Sequence, residues 1–220
     1  MTLDICGSLI LASSSPRRIE IMRAHGITPV VIPAETDEYI PDCLNVRQAV
    51  MFLALKKALW VEKSLYYTPQ MHGGMSAQPH RMIDNTGNMI NQPVYIIAAD
   101  TVVYKNGIIG KPEDRDDAVR ILNELRATDH LVYTGVAIIK ANEKKRRLFY
   151  EVTRVFFKDY TETELYNYID SEEPYDKAGA YAVQGEFGRY IDHIEGDRNN
   201  VIGFPWDRFL NEFMVITNDK

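Results

Sequence analysis

The chain has two cysteines in 220 residues, Cys6 and Cys43. They form no CxxC pair and no zinc-ligand spacing, which argues against a disulfide framework or a thiolate metal centre and leaves two reduced thiols. Long hydrophobic runs are also missing. None approaches the roughly 20 apolar residues that a bilayer span requires. The N-terminus carries no charged segment followed by a long apolar one, as a secretory signal would. A soluble, cytoplasmic protein with no membrane partner is therefore expected. Positive charge is in deficit, with 25 Lys and Arg against 31 Asp and Glu, a formal net charge of −6. A duplex-binding protein usually presents a basic face, so no stable nucleic-acid partner is expected. A small polyanion carried with a divalent cation remains compatible, because the metal supplies positive charge. His25, His72, His80, His130 and His193 make no HExxH pair. There is no GxSxG elbow, no Walker A and no GxGxxG. No internal repeat is present.

What is there suits an α/β enzyme core. Hydrophobic residues make up 45% and charged residues 25% of the chain. That length and balance fit one large domain over residues 1–220 better than two small ones. Ser8 to Ser13 is a short apolar run, followed by Ser-Ser-Ser-Pro-Arg-Arg from Ser13 to Arg18. Pro16 suits a first helical turn, Ser15 an N-cap and Gly26 a stop, so a strand leads into a helix over Pro16 to His25. Pro29 to Pro33 reads as a second strand. Val46 to Lys63 reads as an amphipathic helix with Val50, Leu53, Ala54, Ala58 and Val61 inward. The stretch from Tyr66 to Pro93 holds three Pro, three Gly and four of the eight Met. It has no clean period and reads as an inserted loop of about residues 66–93. Val94 to Ala99 is a strongly apolar strand closed by Asp100; Thr101 to Tyr104 continues extended to a turn at Lys105-Asn106-Gly107, and Ile108-Ile109 returns. Further on, Asp114 to Arg126 is helical, Leu131 to Ile139 and Leu148 to Phe157 form a hairpin, and Thr161 caps a helix to Ile169. The basic run Lys144 to Arg147 reads as a solvated hairpin tip. A last helix lies near Trp206 to Phe213. Strands alternating with helices around a central hairpin predict an α/β fold, a mixed β-sheet flanked by helices.

Several residues in this framework carry chemistry. Arg17 and Arg18 fall in the first turn of a helix after a strand, where free N–H groups attract anions and two guanidiniums add full charge. They form either a phosphate clamp or a surface pair on a capped helix. Asp100 is placed at the carboxyl edge of the sheet, where ligands of α/β proteins bind. A carboxylate there holds a hard cation, positions water or caps a turn. Asp37 and Glu38 follow the second strand in the same manner. Together with Lys57 and Lys111 they would make a metal–triphosphate site, because phosphoryl transfer needs little beyond positioning, metal and cations. Asp176, Lys177 and Gln184 lie near a later turn. The Gln184 amide offers a donor and an acceptor, enough to read a pyrimidine edge.

Six segments then occur in a familiar order: Leu11 to Arg18, Asp37-Glu38, Ala99 to Val103, Gly110-Lys111-Pro112, Asp176 to Tyr181 and Asn200 to Pro205. The chain closely resembles the Maf family of nucleoside triphosphate pyrophosphatases, also called septum-formation-inhibitor-like proteins. The resemblance runs from Leu9 to about Phe213, with the insertion as the exception. It implies a fold like that of the inosine triphosphate pyrophosphatases, with a deep cleft between two lobes. It implies a Mg²⁺ or Mn²⁺ requirement and often a homodimer. Carried over, Ser13, Ser15, Arg17 and Arg18 would cradle the triphosphate, and Glu38 and Asp100 would bind metal. Asp100 would also activate water, while Lys57 and Lys111 stabilise phosphate charge. Thr101 directly after Asp100, and Gln184 before Gly185, resemble the dTTP/UTP group. That implies hydrolysis of pyrimidine nucleoside triphosphates, modified ones included, to monophosphate and pyrophosphate in nucleotide-pool sanitation. The alternatives are a 7-methyl-GTP pyrophosphatase and a non-enzymatic nucleotide-binding regulator of cell division. Phe204-Pro205 stands where the family commonly has Leu-Pro.

Overall fold

The structure, a computed structural model, describes residues 7–66, 92–171 and 173–218. Apart from its two ends, the expected insertion at about 66–93 lies outside the described residues.

The chain opens with β1 (Ser8–Leu11), α1 (Pro16–Ala24), the short β2 (Val30–Val31) and α2 (Val46–Tyr66). The central strand β3 (Val94–Tyr104) follows, then β4 (Ile108–Ile109) and α3 (Arg115–Leu125). A long hairpin, β5 (Asp129–Lys140) and β6 (Arg146–Phe157), leads to α4 (Glu162–Ile169). After three 3₁₀ turns come β7 (Ile191–Glu195), α5 (Arg198–Ile202) and α6 (Trp206–Asn218). Among the described residues seven strands make one sheet in the order β2-β1-β3-β5-β6-β7, with β4 on β3. β1 pairs in parallel with β2 and β3, and all other pairs are antiparallel. The sheet is therefore mixed, as its element order predicted.

The unbroken apolar run of β3 is explained by burial on both faces. Tyr95, Ile97 and Ala99 pack with Ile21 and Met22 of α1 and Phe209 and Phe213 of α6. Ile96 and Ala98 face the other way, onto Ala54, Ala58 and Val61 of α2. The small residues let α2 lie close. At Gly135 of β5 an added Cβ would stand 2.3 Å from the Val50 carbonyl. Beyond Asp100 a separate core begins. Val103 packs with Ile121, Leu122 and Leu125 of α3, with Leu165 and Ile169 of α4, and with Phe157 and Phe187. The two ends of this one strand thus belong to different cores, and a cleft opens on it between them.

Local signals explain most helix boundaries. Asp114 caps α3 by accepting from the Asp117 N–H. Thr161 and Glu164 form a reciprocal capping box on α4, which ties up two N–H groups that the helix leaves unpaired. The basic run is not wholly a hairpin tip. Arg146 and Arg147 belong to β6, where alternate residues face opposite sides. Arg146 pairs with Glu62 of α2, and Arg147 with Glu212 of α6. Among the described residues no helix is long and apolar enough to cross a membrane.

Candidate active site

β1 stops at Leu11, opposite Ile97, whereas β3 continues to Tyr104. β4 rejoins β3 only at Val103. Between these points β3 has no strand partner on that side among the described residues, and there the cleft opens. Asp100 sits in this gap, paired through its backbone to Gly135. The sequence closes the apolar run at Asp100 and continues it extended over Thr101 to Tyr104; in the structure the two stretches are one strand. The strand runs on because Thr101 to Tyr104 stay paired to β5. Val103 enters the second core, Val102 packs with Val50 and Tyr133, and Thr101 lines the cleft. Asp100 still lies just past the last parallel pair, so its carboxylate faces the cleft from a rigid element.

The cleft encloses a cavity of ≈ 560 Å³. All twelve expected site residues line it: Ser13, Ser15, Arg17, Arg18, Glu38, Lys57, Asp100, Thr101, Lys111, Asp176, Lys177 and Gln184. They come from the loop between β1 and α1, from α1, α2 and β3, and from the segments after β2, β4 and α4.

At its centre Lys57 of α2 pairs with Asp100 Oδ1 and lies 3.7 Å from Glu38 Oε1. Lys111 approaches Glu38 at 3.3 Å. Burial pulls the Glu38 carboxyl upward, but Lys111 and Lys57 outweigh it and hold the group below its ordinary value. Asp37 turns outward to Lys56 and does not line the cavity. So of the two adjacent acids, Glu38 is the one brought to Asp100. Among the described residues no three His, Cys, Asp or Glu gather as a metal site. Two carboxylates around one ammonium remain a suitable donor set for a hard cation that also binds phosphate oxygens.

The α1 side is less open than the sequence reading expected. Ser15 stands at the N-cap without a side-chain cap. Its N–H donates to Ser13 Oγ at 3.2 Å, and Arg18 donates to the same oxygen at 3.0 Å. Arg18 also donates to the Gly203 carbonyl at 2.9 Å and to Thr101 Oγ1 at 3.2 Å. Burial lowers its guanidinium from the ordinary value. Three of its five N–H groups are therefore committed to protein, and the other two make no hydrogen bond among the described residues. Arg17 makes no hydrogen bond or ion pair among the described residues, though its charge acts on Asp176.

A chain of contacts behind Arg18 escaped sequence reasoning. Thr101 Oγ1 lies 2.9 Å from Thr134 Oγ1, which donates to the Asn200 carbonyl at 3.1 Å. The Asn200 amide, fully buried, donates to the Val132 carbonyl and to Thr153 Oγ1, both at 3.0 Å. Asn200 opens the last of the six sequence segments, but nothing local tells that its side chain reaches across to β5 and β6. His130 was likewise missed. Its Nε2 lies 2.6 Å from the hydroxyl of Tyr181, which lines the cavity. Burial, then Lys105, lowers its pKa to about 3, so the imidazole is neutral. The buried Thr36 hydroxyl lines the cavity with no partner among the described residues.

On the opposite wall Lys177 pairs with Asp176. Burial raises the Asp176 carboxyl, but Lys177 and Arg17 together keep it below its ordinary value. Gly179 takes φ 73° and donates its N–H to the Gly110 carbonyl at 2.9 Å. The loop that carries Lys177 is thereby fastened to the one that carries Lys111.

Such a fold and cleft define an α/β protein that gathers cations and carboxylates around a deep pocket. The particular family is shown by comparison. A family model described as Maf-like protein matches residues 8–215, and the chain belongs to this family. A dTTP/UTP pyrophosphatase of Pelotomaculum thermopropionicum is 39% identical over 204 residues, covering 92% of this chain and 93% of that one. A dTTP/UTP pyrophosphatase of Geobacillus sp. is 39% identical over 205 residues, covering 93% and 95%. One from Agathobacter rectalis is 39% identical over 215 residues, covering 96% and 98%. Among solved structures, the Staphylococcus aureus Ham1 protein aligns with a TM-score of 0.43 at 12% identity, covering 94% of this chain and 98% of that one. This last likeness is too weak to bear on function.

Proposed function

We propose that this protein hydrolyses nucleoside triphosphates, with dTTP and UTP preferred, to the monophosphate and pyrophosphate. The observation that carries the reading is the Asp100–Lys57–Glu38–Lys111 array, set in a cavity opposite Arg17 and Arg18. The near full-length similarity to dTTP/UTP pyrophosphatases supports the substrate class.

In this reading Arg17, the two uncommitted N–H groups of Arg18, Ser13 and Ser15 orient the triphosphate tail. Lys57 and Lys111 offset charge that develops on its oxygens. Asp100 takes the proton of the attacking water as its oxygen bonds to phosphorus and the α–β bridging oxygen leaves with pyrophosphate. Glu38 and Asp100 would hold a divalent cation, Mg²⁺ or Mn²⁺, together with phosphate oxygens. Such an ion would neutralise charge on the phosphates. Thr101, Asp176, Lys177 and Gln184 face the nucleoside, with the Gln184 amide reading the pyrimidine edge. The hydroxyl of Thr101 acts mainly through Arg18, which it helps to aim. Residues 1–220 act as a single domain carrying its insertion, in the cytoplasm, with homodimer formation as the expected assembly.

Pyrophosphate release is the test, with dTTP, UTP, CTP, 7-methyl-GTP and ITP, each with and without Mg²⁺. Metal-dependent turnover led by dTTP or UTP is expected. Turnover led by a purine nucleotide keeps the reaction and discards the pyrimidine reading. No turnover of any nucleotide overturns the enzyme.

A further inference from the structure

Behind the wall that presents Lys177 and Gln184 lies a carboxylate that does not itself line the cavity. Glu173 opens the first 3₁₀ turn after α4. Its main-chain carbonyl accepts from Lys177 Nζ. Its side chain reaches the other way, to the loop after Tyr181. There Oε2 accepts from the Glu186 N–H at 3.3 Å. Oε1 is closed to solvent and has no hydrogen-bond partner among the described residues. The backbone passes directly over it, so that a Cβ on Gly185 would stand 1.7 Å from Oε1. Gly185 follows Gln184, and its N–H donates to the Ala182 carbonyl at 3.1 Å, closing a turn around Val183 and Gln184. The buried Tyr168 hydroxyl lies beside the same carboxylate. Burial first, and Glu173 next, push that phenol upward.

Apart from the Tyr168 hydroxyl beside it, this carboxylate has one 3.3 Å hydrogen bond to offset the burial of Oε1, an arrangement that costs stability. Such a group persists when its placement serves something else. Glu173 touches both polar elements of this wall, one through its carbonyl and one through its side chain. Gly185 is needed for space, since its φ of −88° suits any residue.

We propose that Glu173 is a positioning residue for base selection, which sets Gln184 through the Gly185–Glu186 backbone and Lys177 through its own carbonyl. The proposal rests on the nucleoside triphosphate reading of the cavity given above. Loss of this post would let the wall drift without disturbing Asp100, Lys57 or Glu38.

The experiment compares wild type with Glu173→Ala, Glu173→Gln and Gly185→Ala. Steady-state kinetics on dTTP, UTP and CTP are measured with Mg²⁺, and thermal unfolding monitors the fold. For Glu173→Ala and Gly185→Ala, KM for dTTP is expected to rise roughly tenfold and the dTTP:CTP ratio of kcat/KM to fall by a similar factor. The accompanying change in kcat is expected to stay within about twofold. Glu173→Gln, which keeps the shape and one acceptor, should recover most of both values. A folded Glu173→Ala with wild-type KM and ratio overturns the proposal. Should that variant not fold, wild-type KM and ratio in both Glu173→Gln and Gly185→Ala overturn it as well. A wild-type enzyme that cleaves no nucleotide sinks the proposed function instead. Calorimetric binding of Mg²⁺–dTTP then decides the role of Glu173, with unchanged affinity in Glu173→Ala, or no binding by wild type, counting against it.

Discussion

Lys57 serves two carboxylates with one ammonium, and one of them, Asp100, is only 7% exposed. A buried carboxylate is tolerated when a cation stands beside it. The Asp100→Asn variant keeps the shape of the side chain and removes its charge. It is expected to fold normally by circular dichroism and to lose at least about 100-fold in kcat, the scale of a removed general base. Wild-type turnover by this variant would refute the assigned role. A second residue-scale prediction concerns His130. Its pKa in the folded protein is about 3, below the ordinary 6.5. As pH falls, the unfolded chain takes up a proton first, so this contribution to stability is complete above about pH 6.5 and lost progressively towards pH 3. Urea unfolding of His130→Gln, which retains a partner for Tyr181, should show a flatter fall between pH 6.5 and 4 than wild type. At this scale much of the site was legible. A paired arginine after Ser-Pro and an acid ending an apolar run announce charge where a sheet ends. Asn200, Thr134 and His130 were not legible, since each acts through a partner more than 30 positions away.

Helix α2 carries Lys57 into the cleft, and its seat on the sheet depends on Gly135. A methyl group there meets the Val50 backbone, which cannot rotate away as a side chain could. Gly135→Ala is therefore expected to destabilise by about 1–3 kcal/mol. It should also lower kcat/KM by displacing Lys57, as read from denaturant unfolding and pyrophosphate release together. Thr161→Ala should cost about 1 kcal/mol through loss of the capping box, with kinetics unchanged because α4 holds no cavity residue. Most element types were readable from period and caps. The inward positions of α2 and the cap of α4 came from spacing alone. The extended run past Asp100 to Tyr104 was read as well, though not that it joins Val94 to Asp100 in one unbroken strand. Pairing with β5 runs along it from Tyr95 to Tyr104, and β4 adds a second partner at Val103 and Tyr104. Nor did the sequence separate Arg146 and Arg147 from the hairpin tip. Their partners, Glu62 and Glu212, belong to helices on opposite faces of the sheet.

The whole molecule is anionic, yet Arg17, Arg18, Lys57, Lys111 and Lys177 converge on one cavity. A metal-bound triphosphate seated there would touch both sides of the cleft and bind the native state alone. A non-hydrolysable dTTP analogue with Mg²⁺ at about 100 times its Kd should stabilise the protein by roughly 2.7 kcal/mol. That corresponds to a rise in Tm of roughly 5–10 °C for a chain of this size. Nucleotide or metal alone should give less in a thermal-shift assay, and equal shifts would argue against a joint site. By itself the sequence determined most of the element types, though not α5 or the 3₁₀ turns before it, together with the apolar run of the central strand and the set of charged side chains around the site. Those follow from local periodicity, capping and residue chemistry, which are written along the chain. The tertiary structure alone decided that Glu38 and not Asp37 meets Asp100, that Arg18 is mostly held by protein, and that Glu173 stands behind Gln184. These depend on contacts between segments far apart in sequence, where small differences in packing select one neighbour over another.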